Sequence, residues 1–210
     1  MTKKHRRKLE INNARSRKKR HRYSKKKKPV RTGFVLLRDI AYSTVISCVF
    51  VALIAGYFFS IDTMVGSSMK PVLESGNHVL VKTHVSNFNR FDIISFKTGT
   101  GGEVRRIIGM PGERIRYVDD FLYVDDDVVD EKFIIEQINA YNREGKLFTQ
   151  PESGADMFQV LTIPEDMYLV LGDNRPFSTD SRHYGLVEKS SIVGVVIFQF
   201  TPFKPLNQVI

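Results

Sequence analysis

The chain has 210 residues, of which 42% are hydrophobic, with a formal net charge of +9 and a single cysteine. This length allows one ordinary domain with appendages. One cysteine excludes an internal disulfide and the five scattered histidines form no zinc-like pattern, so we expect no disulfide framework, no metal site and no cofactor.

The positive charge is concentrated at the N-terminus. Residues 1–39 hold 17 of the 32 lysines and arginines and only 2 acids, so this segment carries +15. The rest of the chain, with 15 bases and 21 acids, carries −6. Such a dense run of like charges predicts a disordered tail. Alone it could bind nucleic acid, but its place before an apolar segment favours anionic lipid headgroups, and we expect no nucleic-acid partner.

An uncharged apolar segment follows this tail. Residues 40–60 contain no charged side chain and match the ~20 residues that a helix needs to cross a bilayer. The basic residues before this segment predict a cytoplasmic tail over 1–39 and an extracytoplasmic remainder. The apolar core exceeds the ~7–15 residues of a cleaved signal peptide, so we expect one retained transmembrane helix in the cell membrane.

Residues 61–203 are predicted to form an antiparallel, mostly β domain outside the membrane, followed by a C-terminal tail over 204–210. Short apolar and β-branched runs alternate with turn residues at the spacing of an all-β domain. The predicted strands are 78–82, 92–96, 104–108, 114–118, 121–124, 167–171 and 192–200. Residues 131–143 carry apolar side chains at helical spacing, which indicates a short helix or an irregular segment, and 144–159 reads as an exposed loop.

Three segments, called here the first, second and third motifs, carry candidate chemistry. They are VGSSMKPVL at 65–73, EVRRIIGMPG at 103–112 and GDNRPFSTDSR at 172–182. Each segment alone has an ordinary interpretation. The first is weak evidence because exposed serines are common, the second is a strand that runs into a Pro-Gly turn, and the third is a polar turn. In this order behind one apolar span, they closely resemble the bacterial type I signal peptidases of Gram-positive type. The resemblance covers roughly residues 40–200.

In that family a lysine activates a serine nucleophile. The resemblance implies that Ser68 is the nucleophile, and its backbone N–H could help to hold the oxyanion. It also implies that Ser178 supplies a second hydroxyl that orients the base, and that Asp180 and Arg182 form a supporting salt bridge. The position of the general-base lysine carries Arg105.

Arg105 is the main departure from the family pattern. A serine hydroxyl needs a neutral base to take its proton, and a lysine can serve where burial lowers its pKa. An arginine is effectively always protonated, so Arg105 is not expected to deprotonate Ser68. His183 lies near the third segment, but in relatives that use histidine it stands at the lysine position, so a surface role is favoured.

By resemblance, the substrate is a signal peptide with small residues before the cut, bound as an added β-strand. Met64, Val65 and Val104 flank the site and are candidates for the walls of the substrate groove. They could equally be ordinary core residues.

Two functional hypotheses follow. The first is a membrane-anchored serine endopeptidase that cleaves signal peptides at Ala-x-Ala sites, as Ser68 and Ser178 suggest. The second is a catalytically impaired relative that assists the assembly of pilin-like exported proteins, as signal-peptidase-like proteins of pilus biogenesis do. Arg105 favours the second hypothesis, with weak or no proteolysis. Under both, the partners are signal peptides or pilin-like exported proteins and the cell membrane.

Overall fold

The computed structural model describes residues 33–99, 101–150, 161–200 and 207–208. Most of the basic tail predicted over 1–39 lies outside the described residues, as do parts of the loop over 144–159 and of the C-terminal segment 204–210. The chain divides into two compact units, one up to Phe50 and one from Val51 onward.

A long apolar helix, α1, covers Gly33–Phe58, and none of its residues is buried. Among the described residues, it is the one helix long and apolar enough to cross a membrane. The helix begins before residue 40, where the predicted span starts, and the last two residues of that span, Phe59 and Ser60, belong to a strand. The reason is that these two residues pair in register with Lys82 and Val81, so a sheet rather than a helix takes up their backbone groups.

The unit from Val51 onward contains two antiparallel sheets. The strands, in chain order, are β1 Phe59–Thr63, β2 His78–Thr83, β3 Ile93–Thr98, β4 Gly101–Gly109, β5 Arg114–Val118, β6 Phe121–Val124, β7 Asp127–Val129, β8 Leu161–Thr162, β9 Met167–Leu171, β10 Val187–Glu188, β11 Ile192–Phe200 and β12 Asn207–Gln208. The larger sheet has the order β1-β2-β11-β3-β4-β9-β10, with β12 on β11, and the smaller has the order β7-β6-β5-β8.

The predicted antiparallel, mostly β class is confirmed, and every predicted strand is present. The strands that the sequence did not predict are β1, β7, β8, β10 and β12. Four of them have two or three residues, too few for a periodic pattern. β1 begins with Phe59 and Ser60, which continue the uncharged apolar segment 40–60 and so give no separate signal. β12 lies within the segment predicted as a C-terminal tail and pairs with Phe198 and Gln199 of β11.

The helical option for residues 131–143 is correct. A 3-10 turn over Lys132–Ile134 leads into helix α2, Ile135–Arg143. Its apolar face buries Ile138 with Ile134 and Phe148 in a small satellite core. A short helix, α3, covers Ser181–Tyr184.

The larger sheet curves enough for β1 to contact β3, although two strands separate them in the sheet order. Met64, which follows β1, and Val104 of β4 are buried in one apolar cluster. The Ser95 hydroxyl of β3 also donates to Asp62 of β1 at 2.5 Å. Among the described strands, β1 pairs only with β2, and the part of β4 before Arg106 pairs only with β3. Each therefore has one edge that can accept a further strand.

Candidate functional site

Gly172 is the point at which the first and third motifs meet. It directly follows β9, and a methyl group placed on its Cα would overlap Oγ of Ser178 and come within 2.5 Å of the carbonyl oxygen of Ser68. The absence of a side chain therefore allows the two predicted hydroxyl-bearing residues to approach each other across this glycine.

Asn174 holds the loop that carries Ser68 through two hydrogen bonds. Its backbone N–H donates to the carbonyl oxygen of Ser68 at 2.9 Å, and its side-chain Nδ2 donates to the carbonyl oxygen of Ser67 at 2.9 Å. The sequence predicts a polar turn at this place, in which the side chains of Asp173, Asn174 and Arg175 cap backbone groups. It did not indicate that the backbone groups bound by Asn174 are those of Ser67 and Ser68.

The Ser178 hydroxyl is buried next to the Asp180 carboxylate. Within the described residues, no group stands at full hydrogen-bonding geometry to its Oγ. It lies close enough to Asp180 to help keep the pKa of that carboxyl low. A buried hydroxyl without a full hydrogen bond is uncommon in a folded protein, and it is suited to receive a group that enters the site.

Asp180 and Arg182 form the salt bridge that the resemblance implies. Nε and Nη2 of Arg182 each donate to the Asp180 carboxylate at 2.8 Å, and both side chains are almost completely buried. Burial alone would raise the pKa of the Asp180 carboxyl, but the hydrogen bonds and charge of Arg182 outweigh it and lower that pKa. The carboxylate also accepts from the backbone N–H of Gly172 at 3.0 Å, which ties the pair to the site.

We expect the salt bridge to make stability depend on acid pH. Because the folded-state pKa of Asp180 lies below its unfolded value of about 3.9, its contribution is complete above that value and is lost as the pH falls through the folded-state pKa. Asp180→Asn should cost roughly 3–5 kcal/mol at neutral pH, since it leaves Arg182 buried without its carboxylate. Thermal melts of the natural sequence and of Asp180→Asn, both full-length in detergent, at pH 7 and pH 3 test this. The difference between their melting temperatures should shrink at pH 3, and a difference that stays constant with pH contradicts the prediction.

Arg105 reaches the same region from β4. Its Nε and Nη2 donate to the carbonyl oxygen of Thr179 at 3.0 and 2.6 Å, and its Nη1 donates to the carbonyl oxygen of Val104 at 2.6 Å. Nη2 also lies 3.1 Å from the carboxylate of Glu103. The guanidinium is thus buried at the Thr179 carbonyl with all three nitrogens engaged by oxygen atoms, an arrangement that suits a permanent cation.

The neighbouring Arg106 anchors β4 to the third motif. Its Nε and Nη2 donate to the two carboxylate oxygens of Asp173 at 2.8 and 2.6 Å, and both side chains are almost completely buried. The guanidinium also stacks 4.1 Å from the ring centre of Phe133. A paired fork of this kind fixes direction as well as distance, so it ties β4 to the segment 172–182.

The three residues predicted to line the substrate groove occupy different environments. Met64 and Val104 are buried in the same apolar cluster, which also contains Met69 beside the nucleophile position. Val65, in contrast, is 82% exposed. Their role toward a substrate stays a prediction.

Within the described residues, no group of three or more histidine, cysteine, aspartate or glutamate side chains is placed to hold a metal ion. Ser178 Oγ and the backbone carbonyl oxygen of Ser68 lie together at Gly172, and Arg105 binds the carbonyl oxygen of Thr179, the residue that follows Ser178. Serine hydroxyls are among the groups that proteins use for nucleophilic attack on a carbonyl group.

Comparison with known proteins identifies the family. The model of the family "Signal peptidase, peptidase S26" matches residues 37–201. The chain is 39% identical over 162 residues to signal peptidase I of Bacillus caldolyticus, covering 73% of this chain and 86% of that protein. It is 33% identical over 172 residues to signal peptidase I of Streptococcus pneumoniae, covering 70% and 84%. The chain belongs to the signal peptidase, peptidase S26 family.

Among solved structures, the crystal structure of a signal peptidase I from Enterococcus faecalis is 37% identical to the chain. The match covers 53% of this chain and 97% of that one, with a TM-score of 0.47.

Proposed function

We propose that the chain is a membrane-anchored serine endopeptidase that cleaves signal peptides of exported proteins after small residues, with Ser68 as the nucleophile. The observation that carries this proposal is the meeting of Ser68 and Ser178 across Gly172. Both similar proteins above are named signal peptidase I, which favours peptidase action over the assembly role that Arg105 alone suggested.

The open edges of β1 and β4 support a substrate bound as an extended strand. A peptide added to a free edge gains main-chain hydrogen bonds, and its alternate side chains enter pockets on one face. Met64, which follows β1, and Val104 of β4 belong to the same apolar cluster. We propose that they and Val65 form the walls that restrict the side chains next to the cut.

Arg105 sets the expected rate of this peptidase. A guanidinium held by Thr179 and Glu103 can stabilise negative charge but does not act as a base toward a serine hydroxyl. Without a positioned base, catalysis depends on the remaining contributions of substrate positioning and oxyanion stabilisation. We therefore propose slow turnover rather than complete loss of activity.

Binding without cleavage is the second candidate function, and Arg105 is the observation that favours it. A signal-peptidase domain that holds pilin-like exported proteins would need the groove but not a base. The two candidates differ in whether a peptide bond is broken.

Cleavage of a purified precursor decides between them. Full-length protein in detergent is incubated with a precursor that has an Ala-x-Ala site, and with a matched precursor in which the residue before the cut is changed to phenylalanine. We expect slow cleavage of the first precursor after the alanine, located by mass spectrometry, and none of the second. Tight binding of the first precursor with no product after long incubation would favour the binding function instead.

We also propose a topology in which the N-terminal tail is cytoplasmic and the β domain lies outside the membrane, because the basic residues are concentrated before α1. Protease added to intact protoplasts should digest the β domain and spare an epitope placed on the N-terminal tail. Digestion of the tail with protection of the β domain would contradict this orientation. Permeabilised cells, in which both parts are accessible, provide the control.

A further inference from the structure

A buried ionic network connects the third motif to the smaller sheet. The Arg175 side chain is fully buried and pairs with the carboxylate of Glu131, which follows β7 and is also buried. The Tyr117 hydroxyl of β5 donates to this carboxylate at 3.1 Å, and Nη1 of Arg175 donates to the Thr149 hydroxyl at 2.8 Å. Glu131, Tyr117 and Thr149 lie outside the three motifs.

The same guanidinium reaches the candidate site on its other side. Nε of Arg175 donates to the carbonyl oxygen of Gly172 at 3.1 Å, and Gly172 is the residue across which Ser68 and Ser178 meet. The carbonyl oxygen of Arg175 accepts from Nη2 of Arg182 at 2.6 Å. The Gly172 peptide is therefore linked through one side chain to a carboxylate supplied from beyond β7.

We propose that Glu131 is a positioning residue, which acts through Arg175 to hold the Gly172 peptide and thereby the relative placement of Ser68 and Ser178. This inference rests on the peptidase function proposed above. Both terminal nitrogens of Arg175 donate to the Glu131 carboxylate. A carboxylate that engages a guanidinium in this two-point manner fixes the plane of the guanidinium as well as its distance, and the direction of Nε follows from that plane.

Stabilisation of the fold is the alternative role for this pair. Buried ion pairs are often replaceable by apolar side chains of similar volume with little loss of stability, whereas removal of one partner leaves an uncompensated buried charge. An apolar pair would keep the packing but would not hold the carbonyl of Gly172. Positioning and stabilisation therefore predict different results for a matched double variant.

The test uses full-length protein in detergent, in an Arg105→Lys background where turnover is expected to be higher. For Glu131→Gln we expect kcat to fall about 100-fold, the loss typical of a small misplacement of reacting groups, with little change in KM. The double variant Glu131→Leu, Arg175→Met should melt near the temperature of its parent, yet its kcat should stay low. Recovery of kcat in this double variant, or an unchanged kcat in Glu131→Gln, would overturn the positioning role.

A second readout does not depend on peptidase activity. Ser68→Cys is made in a Cys48→Ala background, and the rate at which N-ethylmaleimide labels the thiol at position 68 is measured. Adding Glu131→Leu and Arg175→Met should change this rate severalfold in a protein that melts normally, and an unchanged rate would overturn the inference. If no variant cleaves the precursor, the proposed peptidase function fails, and the labelling rates still decide the role of Glu131.

Discussion

Arg105→Lys is expected to raise the rate of signal-peptide cleavage by ~10²–10⁴-fold, the usual contribution of a positioned general base. Arg105 is buried beside the Ser178 segment, so a lysine at this position would be desolvated and could lose its proton. The Ser178 hydroxyl, which lacks a full hydrogen bond within the described residues, would be available to orient the amine. The measurement is kcat/KM on a fluorogenic peptide with an Ala-x-Ala site.

Glu103 offers a way to show that the introduced amine is the base. Its carboxylate lies 3.1 Å from Nη2 of Arg105, and a neighbouring negative charge favours the protonated form of an amine. Adding Glu103→Gln to Arg105→Lys should therefore lower the pKa of the amine and move the rising limb of the pH–rate profile to lower pH. Ser68→Ala in the Arg105→Lys background is the control and should abolish the gain. A gain that survives Ser68→Ala would contradict the assignment of the nucleophile.

Gly172→Ala is expected to lower turnover by at least about 100-fold, because a misplacement of reacting groups by about 1 Å has an effect of that size. The added methyl group would overlap Oγ of Ser178 and approach the carbonyl oxygen of Ser68 to 2.5 Å, so one of the two must move. The Arg105→Lys protein provides the measurable parent rate. Substrate binding, measured by fluorescence anisotropy of a labelled peptide, should change much less than kcat.

Gly56→Ala is the matched control, since a methyl group on Gly56 meets nothing within 4 Å. It should leave turnover unchanged. Unimpaired turnover in Gly172→Ala would contradict the close approach of Ser68 and Ser178 on which the candidate site depends.

The sequence predicted the fold class and, apart from β1, the approximate positions of all the strands of four or more residues, because periodic apolar residues and turn residues report local structure directly. It did not predict the end of α1. The run over 40–60 is uniformly apolar, and only the pairing of Phe59 and Ser60 with β2 decides where the helix gives way to a strand. Pairing with a strand about 20 residues further along the chain cannot be detected from the local pattern of apolar residues.

The sequence allowed the motif residues of the candidate site to be predicted, but not the buried side chains that hold those residues in place. The resemblance pointed to Ser68, Ser178 and the Asp180–Arg182 salt bridge, and the structure contains that salt bridge. The buried pairing of Glu131 with Arg175 was not predicted, since the pattern of the segment that contains Glu131 indicates a short helix or an irregular segment and no ion pair. The sequence also placed Arg105 at the base position without indicating that Thr179 and Glu103 hold it.

The most direct test of the account is whether slow cleavage by the natural sequence depends on Ser68. Full-length protein and its Ser68→Ala variant, purified in detergent to the same melting temperature, are incubated with the same Ala-x-Ala precursor, and product is quantified by mass spectrometry over an extended time course. The account predicts slow but measurable product at the alanine site from the natural sequence and none from Ser68→Ala. Equal amounts of product from the two proteins, or no product from either, would contradict it.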